Sequence, residues 1–239
     1  MPASGSSLQV VLWDVDGTLV DYAMSMGEFL EKKLASFDLA LDLLPDEDVL
    51  AAEDLRLAEQ DSWRTVEDER RGFFRVTSVL LRSVAPSREK LEQVADSFSR
   101  YFDLYRPVPG VRQILADLQR VGVRQGVVSN WPPSLRAFLD HHDLTRFFEV
   151  IVCSGEVGVV KPDRRIFELA FAALGVEGPE CVYIGDNPAN DIGPARALGM
   201  AAIHFNPRGD YDPADERTAS GLRRKLFGML GIDGAPATP

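Results

Sequence analysis

The sequence predicts an α/β fold, a doubly wound (Rossmann-like) parallel sheet core with an inserted α-helical cap subdomain. Three observations predict it. Short apolar runs rich in β-branched residues recur along the chain, as strands buried on both faces require. Amphipathic segments of helical spacing separate the later runs, which is the alternation of a doubly wound sheet. One long stretch near the N-terminus breaks that alternation, being charged, poor in strand patterns and helical in its spacing.

Taken in order, residues 8–13 read as the first strand, and the interrupting stretch runs from Asp21 to Tyr105. Within it LEKKLASFDLALDLL, VLAAEDLRLAEQDSW and EKLEQVADSFSRYF carry helical patterns. The chain returns through Arg106-Pro-Val-Pro-Gly110, so the insert sits over the carboxyl end of the first strand, placed to act as a lid. Residues 110–121 then read as a helix, 124–129 as a strand, 133–142 as a helix and 149–153 as a strand. A helix at 163–174, a strand at 181–184, a helix at 188–198 and a strand at 201–205 complete the alternation. Helical character returns near residues 220–230, and the Gly- and Pro-rich tail 231–239 reads as irregular. The division is therefore residues 1–20 and 106–239 for the α/β core and 21–105 for the helical cap.

The bulk composition limits the function classes. With 45% apolar and 26% charged residues in 239, the chain has globular usage and length enough for a substantial core. A net charge of -11 argues against nucleic acid or an anionic membrane surface as partner, so any anionic ligand must be held locally. The two cysteines, Cys153 and Cys181, each adjoin an apolar run and read as reduced buried thiols, favouring a cytoplasmic location. The opening MPASGSS lacks a basic segment followed by an apolar one, and no run reaches membrane-spanning length.

Doubly wound sheets bind ligands off the carboxyl ends of their strands, so those ends hold the candidate residues. Asp14-Val-Asp-Gly-Thr18 follows the first strand at once. Its two carboxylates suit a nucleophile and an acid or base, although Asp, Gly and Thr are also ordinary turn residues. Asp186 and Asp191, in Gly185-Asp-Asn-Pro-Ala-Asn-Asp191, bring two more carboxylates to the same edge, where crowded negative charge calls for a hard cation such as magnesium. The alternative is a helix N-terminus, with Asn187 or Asp191 capping. Ser129 and Asn130 end the second main strand and offer a hydroxyl and backbone N–H groups to an anion, or a simple cap. Lys161, before Pro162 and a helix, reaches the carboxylates and a transferring phosphoryl group, or else solvent.

Assembled, these residues resemble the haloacid dehalogenase superfamily, in particular its phosphatase-like members with a helical cap inserted after the first motif. Asp14, Asp16 and Thr18 match its aspartate-x-aspartate-x-threonine run, Ser129 its second motif, Lys161 in GEVGVVKPD its third, and Asp186 with Asp191 its acidic fourth. The motifs span residues 8–205 in the family's order. The resemblance implies that Asp14 is nucleophile and magnesium ligand, and that Asp16 is general acid and base and binds magnesium through its backbone carbonyl. It further implies that Ser129 holds the phosphoryl oxygens with Asn130 nearby and that Lys161 steadies the aspartyl-phosphate. Asp186 would ligate magnesium, and Asp191 would support that shell or orient Lys161. Arg164 departs from the proline of many relatives and touches none of these roles.

The implied enzyme is a magnesium-dependent hydrolase of a small phosphate monoester. A phosphomutase of the same superfamily would keep both aspartates; a dehalogenase would not need Asp16; a non-catalytic binding protein would not need the whole set. Trp131, beside the phosphate loop, is expected to face the cap and contact substrate. Trp63, Arg64, Arg70 and Arg71 are further cap residues within possible reach, each more simply explained by packing or surface, and His141, His142 and His204 need no metal.

Overall fold

The computed structural model describes residues 8–208 and 217–232. The chain opens with β1 (Val10–Trp13) and a short strand β2 (Val20–Tyr22), then runs through α1 (Met26–Ala35), α2 (Asp46–Glu59), α3 (Val66–Leu80) and α4 (Arg88–Ser99) before β3 (Tyr105–Pro107). It continues as α5 (Val111–Arg120), β4 (Arg124–Ser129), α6 (Leu135–His141), β5 (Val150–Cys153), α7 (Ser154–Val157) and α8 (Arg164–Leu174). Next come β6 (Cys181–Gly185), α9 (Gly193–Ala197), β7 (Ala201–His204) and α10 (Ala219–Met229).

Five strands form one parallel sheet in the order β5-β4-β1-β6-β7, the doubly wound architecture that the alternation predicts. β1 lies at its centre, and all four of its residues are fully buried. Val11 and Trp13 point into the layer shared with α5, α6 and α10; Val10 and Leu12 point into the layer shared with α8 and α9. Each such large apolar side chain contributes about 1.5–3 kcal/mol on burial, which explains why the run is continuous rather than alternating. The order turns back beside β1, between β1 and β6, and there a crevice opens at the carboxyl edge.

Helix positions agree with their patterns, with local corrections. The segment expected as a helix over 133–142 begins only at Leu135, because Pro132 and Pro133 delay it. The segment expected over 188–198 opens as a π-helical turn, Pro188–Ile192, capped by the Asn187 side chain, and becomes α-helical only at Gly193. Helical character near 220–230 is α10; of the irregular tail, residues 233–239 lie outside the described residues, as do 1–7 at the start. Both cysteines are buried free thiols. Among the described residues no helix is long and apolar enough to cross a membrane.

The interrupting stretch is mostly helical, with its own apolar cluster of Phe29, Leu34, Leu44, Leu80, Leu81, Val94 and Phe98, but the pattern over residues 30–44 is α-helical only to Ala35 and then turns, ending in a 3-10 turn at Leu41–Leu43. It holds one helix that no quoted pattern covered. α3 buries Glu69, Gly72, Thr77 and Leu80, a face too polar to read as an apolar stripe. Gly72 is needed there, since a Cβ would stand 2.3 Å from the ring of Trp63. The insert is joined to the sheet by an antiparallel ribbon, Val20–Tyr22 against Tyr105–Pro107, that straddles both expected boundaries. Three-residue strands are too short to show a period.

A buried carboxylate also ties the insert to the core. Glu69 of α3 accepts from the Ser134 backbone N–H at 2.9 Å and from its hydroxyl at 2.7 Å, at the start of α6. The Tyr101 hydroxyl is 3.0 Å from the same Ser134 oxygen. Burial pushes Glu69 up to about 7, against the pull of these hydrogen bonds. The folded protein therefore binds this proton more tightly than the unfolded chain, so its stabilising effect is complete below the unfolded value near 4.5 and is lost as pH rises through about 7. Relative to Glu69→Gln, the wild type is expected to lose about 3 kcal/mol of stability between pH 4.5 and 8. Urea midpoints of both proteins across that range check it; parallel pH profiles would show that Glu69 does not carry the charge change.

Candidate active site

Four loops meet at the carboxyl edge of the sheet. β1 ends at Trp13 and delivers Asp14, β4 ends in Ser129, the loop after α7 delivers Lys161, and β6 ends at Gly185 and delivers Asp186. Because β1 is flanked by β4 and β6, side chains 115 residues apart in sequence become neighbours: the Ser129 hydroxyl donates to Asp14 Oδ1 at 2.8 Å. Lys161 Nζ reaches the same oxygen at 2.7 Å and Asp191 Oδ1 at 2.6 Å. It also donates to the Tyr183 hydroxyl at 3.1 Å, while Tyr183 donates to the Val128 carbonyl at 2.8 Å. The lysine, Asp14, Ser129 and Asp191 are all buried, and the two carboxylates hold the ammonium charged against the cost of that burial.

The turn after β1 brings Asp186 against it. Gly17 adopts a left-handed φ of 68°, and a Cβ there would lie 2.2 Å from Asp186 Oδ2, so only glycine lets the two loops close. Asp14, Asp186 and Asp191 consequently each place a carboxylate oxygen within 4.8 Å of the others. Three carboxylates face one ammonium, leaving two negative charges to balance. Burial, then Asp14, Asp191 and Asp16, push Asp186 up to about 7. An all-oxygen group with that surplus fits a hard divalent cation.

Asp16 is not part of that group through its side chain, which turns to Arg208: Nη2 donates to its Oδ1 at 2.9 Å. Its carboxylate lies outside the group formed by Asp14, Asp186 and Asp191. Partial burial raises the Asp16 carboxyl above its usual value, against the opposing pull of Arg208.

Two residues expected to contact substrate have side-chain partners within the protein. The Asn130 amide is committed to the backbone of Lys161, donating to its carbonyl at 3.1 Å and accepting from its N–H at 2.7 Å. Its side chain fixes the lysine loop. Trp131 faces the insert, as expected, but its ring is buried against Tyr101, Tyr105 and Phe138, and its Nε1–H donates to the Tyr101 hydroxyl at 2.9 Å. Its indole packs the joint between insert and core. Of the other cap residues, Trp63 is buried, Arg70 pairs with Asp96 and Arg71 with Glu67, while Arg64 lines a cavity of about 230 Å³ with Gln60, Asn130, Trp131 and Val160. Tyr183 and Arg208 escaped sequence reasoning. A tyrosine in a buried strand signals only packing, and nothing local distinguishes Arg208 from a surface cation.

Comparison with known proteins shows the family. A family profile described as haloacid dehalogenase-like hydrolase matches residues 8–199. A phosphoserine phosphatase of Thermus thermophilus is 33% identical over 150 residues, 62% of this chain and 59% of that relative. A phosphoglycolate phosphatase of Caulobacter vibrioides is 32% identical over 195 residues, 81% of this chain and 77% of that relative. Among solved structures, a 2-haloacid dehalogenase from Pseudomonas syringae superposes with a TM-score of 0.67 at 24% identity, covering 92% of this chain and 99% of that one, a likeness of fold. With the four loops assembled at one sheet edge and the profile spanning most of its length, the chain belongs to the haloacid dehalogenase-like hydrolase family.

Proposed function

We propose that this hydrolase cleaves small-molecule phosphate monoesters in a magnesium-dependent reaction through an aspartyl-phosphate on Asp14. The observation that carries the reading is the buried Asp14 carboxylate, oriented on one oxygen by Ser129 and Lys161, with the acid-base candidate Asp16 two residues on. The phosphatase names of the similar proteins support it.

In the first step an Asp14 oxygen bonds to phosphorus while the ester P–O bond breaks, and Asp16 gives its proton to the departing alkoxide. Its raised pKa suits a group that must hold that proton. In the second step water attacks phosphorus, Asp16 takes the water's proton, and the acyl-phosphate bond breaks to return the Asp14 carboxylate and inorganic phosphate. Lys161 and Ser129 offset the negative charge on the nucleophile and on the transferring oxygens. Asp191 holds Lys161 in place. The side chains of Asp14 and Asp186 and the backbone carbonyl of Asp16 would hold magnesium, with Asp191 beside them. When bound, the ion supplies charge neutralisation at the phosphoryl oxygens.

The helical insert serves in this reading as a cap that excludes water, and the buried free thiols suit a cytoplasmic protein. Asp16 separates the reading from a dehalogenase, whose halide leaving group needs no proton. The test is phosphate release from a panel of monoesters with magnesium, with EDTA, and after magnesium is restored. Release is expected only with the metal. Magnesium is also expected to raise Tm in the wild type, an effect lost in Asp186→Asn. Metal-independent turnover or an Asp186→Asn protein with the full Tm shift would overturn the metal assignment.

A further inference from the structure

Arg208 lies just past β7, in the C-terminal segment to which the sequence assigned no function. Its Nη2 holds Asp16, its Nε donates to Asp21 Oδ1, and its guanidinium carbon stands 4.6 Å over the ring of Tyr22. Tyr22 in turn stacks on Tyr105 at 4.9 Å, across the ribbon that joins core to insert. The arginine side chain is 28% exposed, so it is held by its partners yet open to a ligand arriving at the mouth of the site. On the insert side, Arg56 of α2 is paired with Glu53.

The reaction constrains what Arg208 meets. Asp16 must stand against the leaving oxygen, so a guanidinium bonded to Asp16 lies next to whatever the leaving alcohol carries near that oxygen. A guanidinium matches planar oxyanions by paired donors, and it already holds two carboxylates here. We propose that Arg208 is a specificity-determining residue that binds a carboxylate on the leaving group of the substrate, making the preferred substrates carboxylated phosphate monoesters. This deepens the phosphatase reading and rests on it.

The experiment measures kcat/KM for phosphoglycolate and for ethyl phosphate, which share a two-carbon leaving group and differ by a carboxylate, with p-nitrophenyl phosphate as a general ester. Wild type, Arg208→Ala and Arg208→Lys are compared. The wild type is expected to prefer phosphoglycolate by about 100-fold, and Arg208→Ala to shrink that ratio at least about 10-fold, chiefly through KM, with Arg208→Lys between them. A wild type without the preference overturns the proposal. So does an Arg208→Ala protein that loses both esters by the same factor, since Arg208 would then act only through Asp16. Phosphate release from p-nitrophenyl phosphate alongside either outcome leaves the phosphatase reading standing. No release from any ester by the wild type overturns both.

Discussion

Asp14→Asn is expected to lower phosphate release by on the order of 10⁴-fold or more while the protein stays folded. An amide has the shape of the carboxylate but no anionic oxygen to attack phosphorus. Its oxygen can still accept from Ser129 and Lys161, which lie 2.8 and 2.7 Å from the carboxylate it replaces. The substitution also removes one of three crowded negative charges and relieves Asp186 of its largest electrostatic burden after burial itself. Stability is therefore expected to hold or rise. Phosphate release with magnesium, read beside a thermal melt, checks both halves. Turnover within tenfold of wild type would assign the nucleophile to another group.

Lys161→Met should damage both activity and stability. The ammonium is buried and within 2.7 Å of both Asp14 and Asp191; methionine fills a similar volume without charge. Breaking a buried ion pair from one side leaves its carboxylates uncompensated, at a cost of about 3–5 kcal/mol. Loss of a cation beside the transferring group is expected to cost at least about 100-fold in turnover. Because the stranded carboxylates can relieve the strain by taking up protons, the stability deficit should shrink as pH falls. Magnesium should offset part of it. A urea titration at several pH values, with and without the ion, measures these effects. A variant as stable as wild type at every pH would show that the lysine does not neutralise the cluster.

Three of the four candidate loops were legible because Asp14, Ser129 and Asp186 each adjoin or end a strand that is itself legible. Asp14, Ser129 and Asp186 need no long-range information to be placed, only the rule that a parallel sheet gathers its strand ends at one edge. What each side chain bonds to was not legible. Asn130 fixes the lysine loop through two bonds to Lys161, 31 residues away, and Trp131 has its indole N–H held by Tyr101. The β2–β3 ribbon and α3 escaped for another reason. One is too short for a period, and the other buries Glu69 and Gly72, whose value depends on Ser134 and Trp63 elsewhere in the chain.

Sequence alone thus determined the sheet, the insert and the identity of the charged residues at the sheet edge, since strand patterns and the residues that follow them are local properties. The tertiary structure decided the rest: which carboxylates share Lys161, which glycine lets Asp186 approach, and that Arg208, 192 residues from Asp16, stands beside it. Pairings of that kind are set by how strands and helices are stacked in space, and electrostatic energy depends on distance in that space and not on distance along the chain.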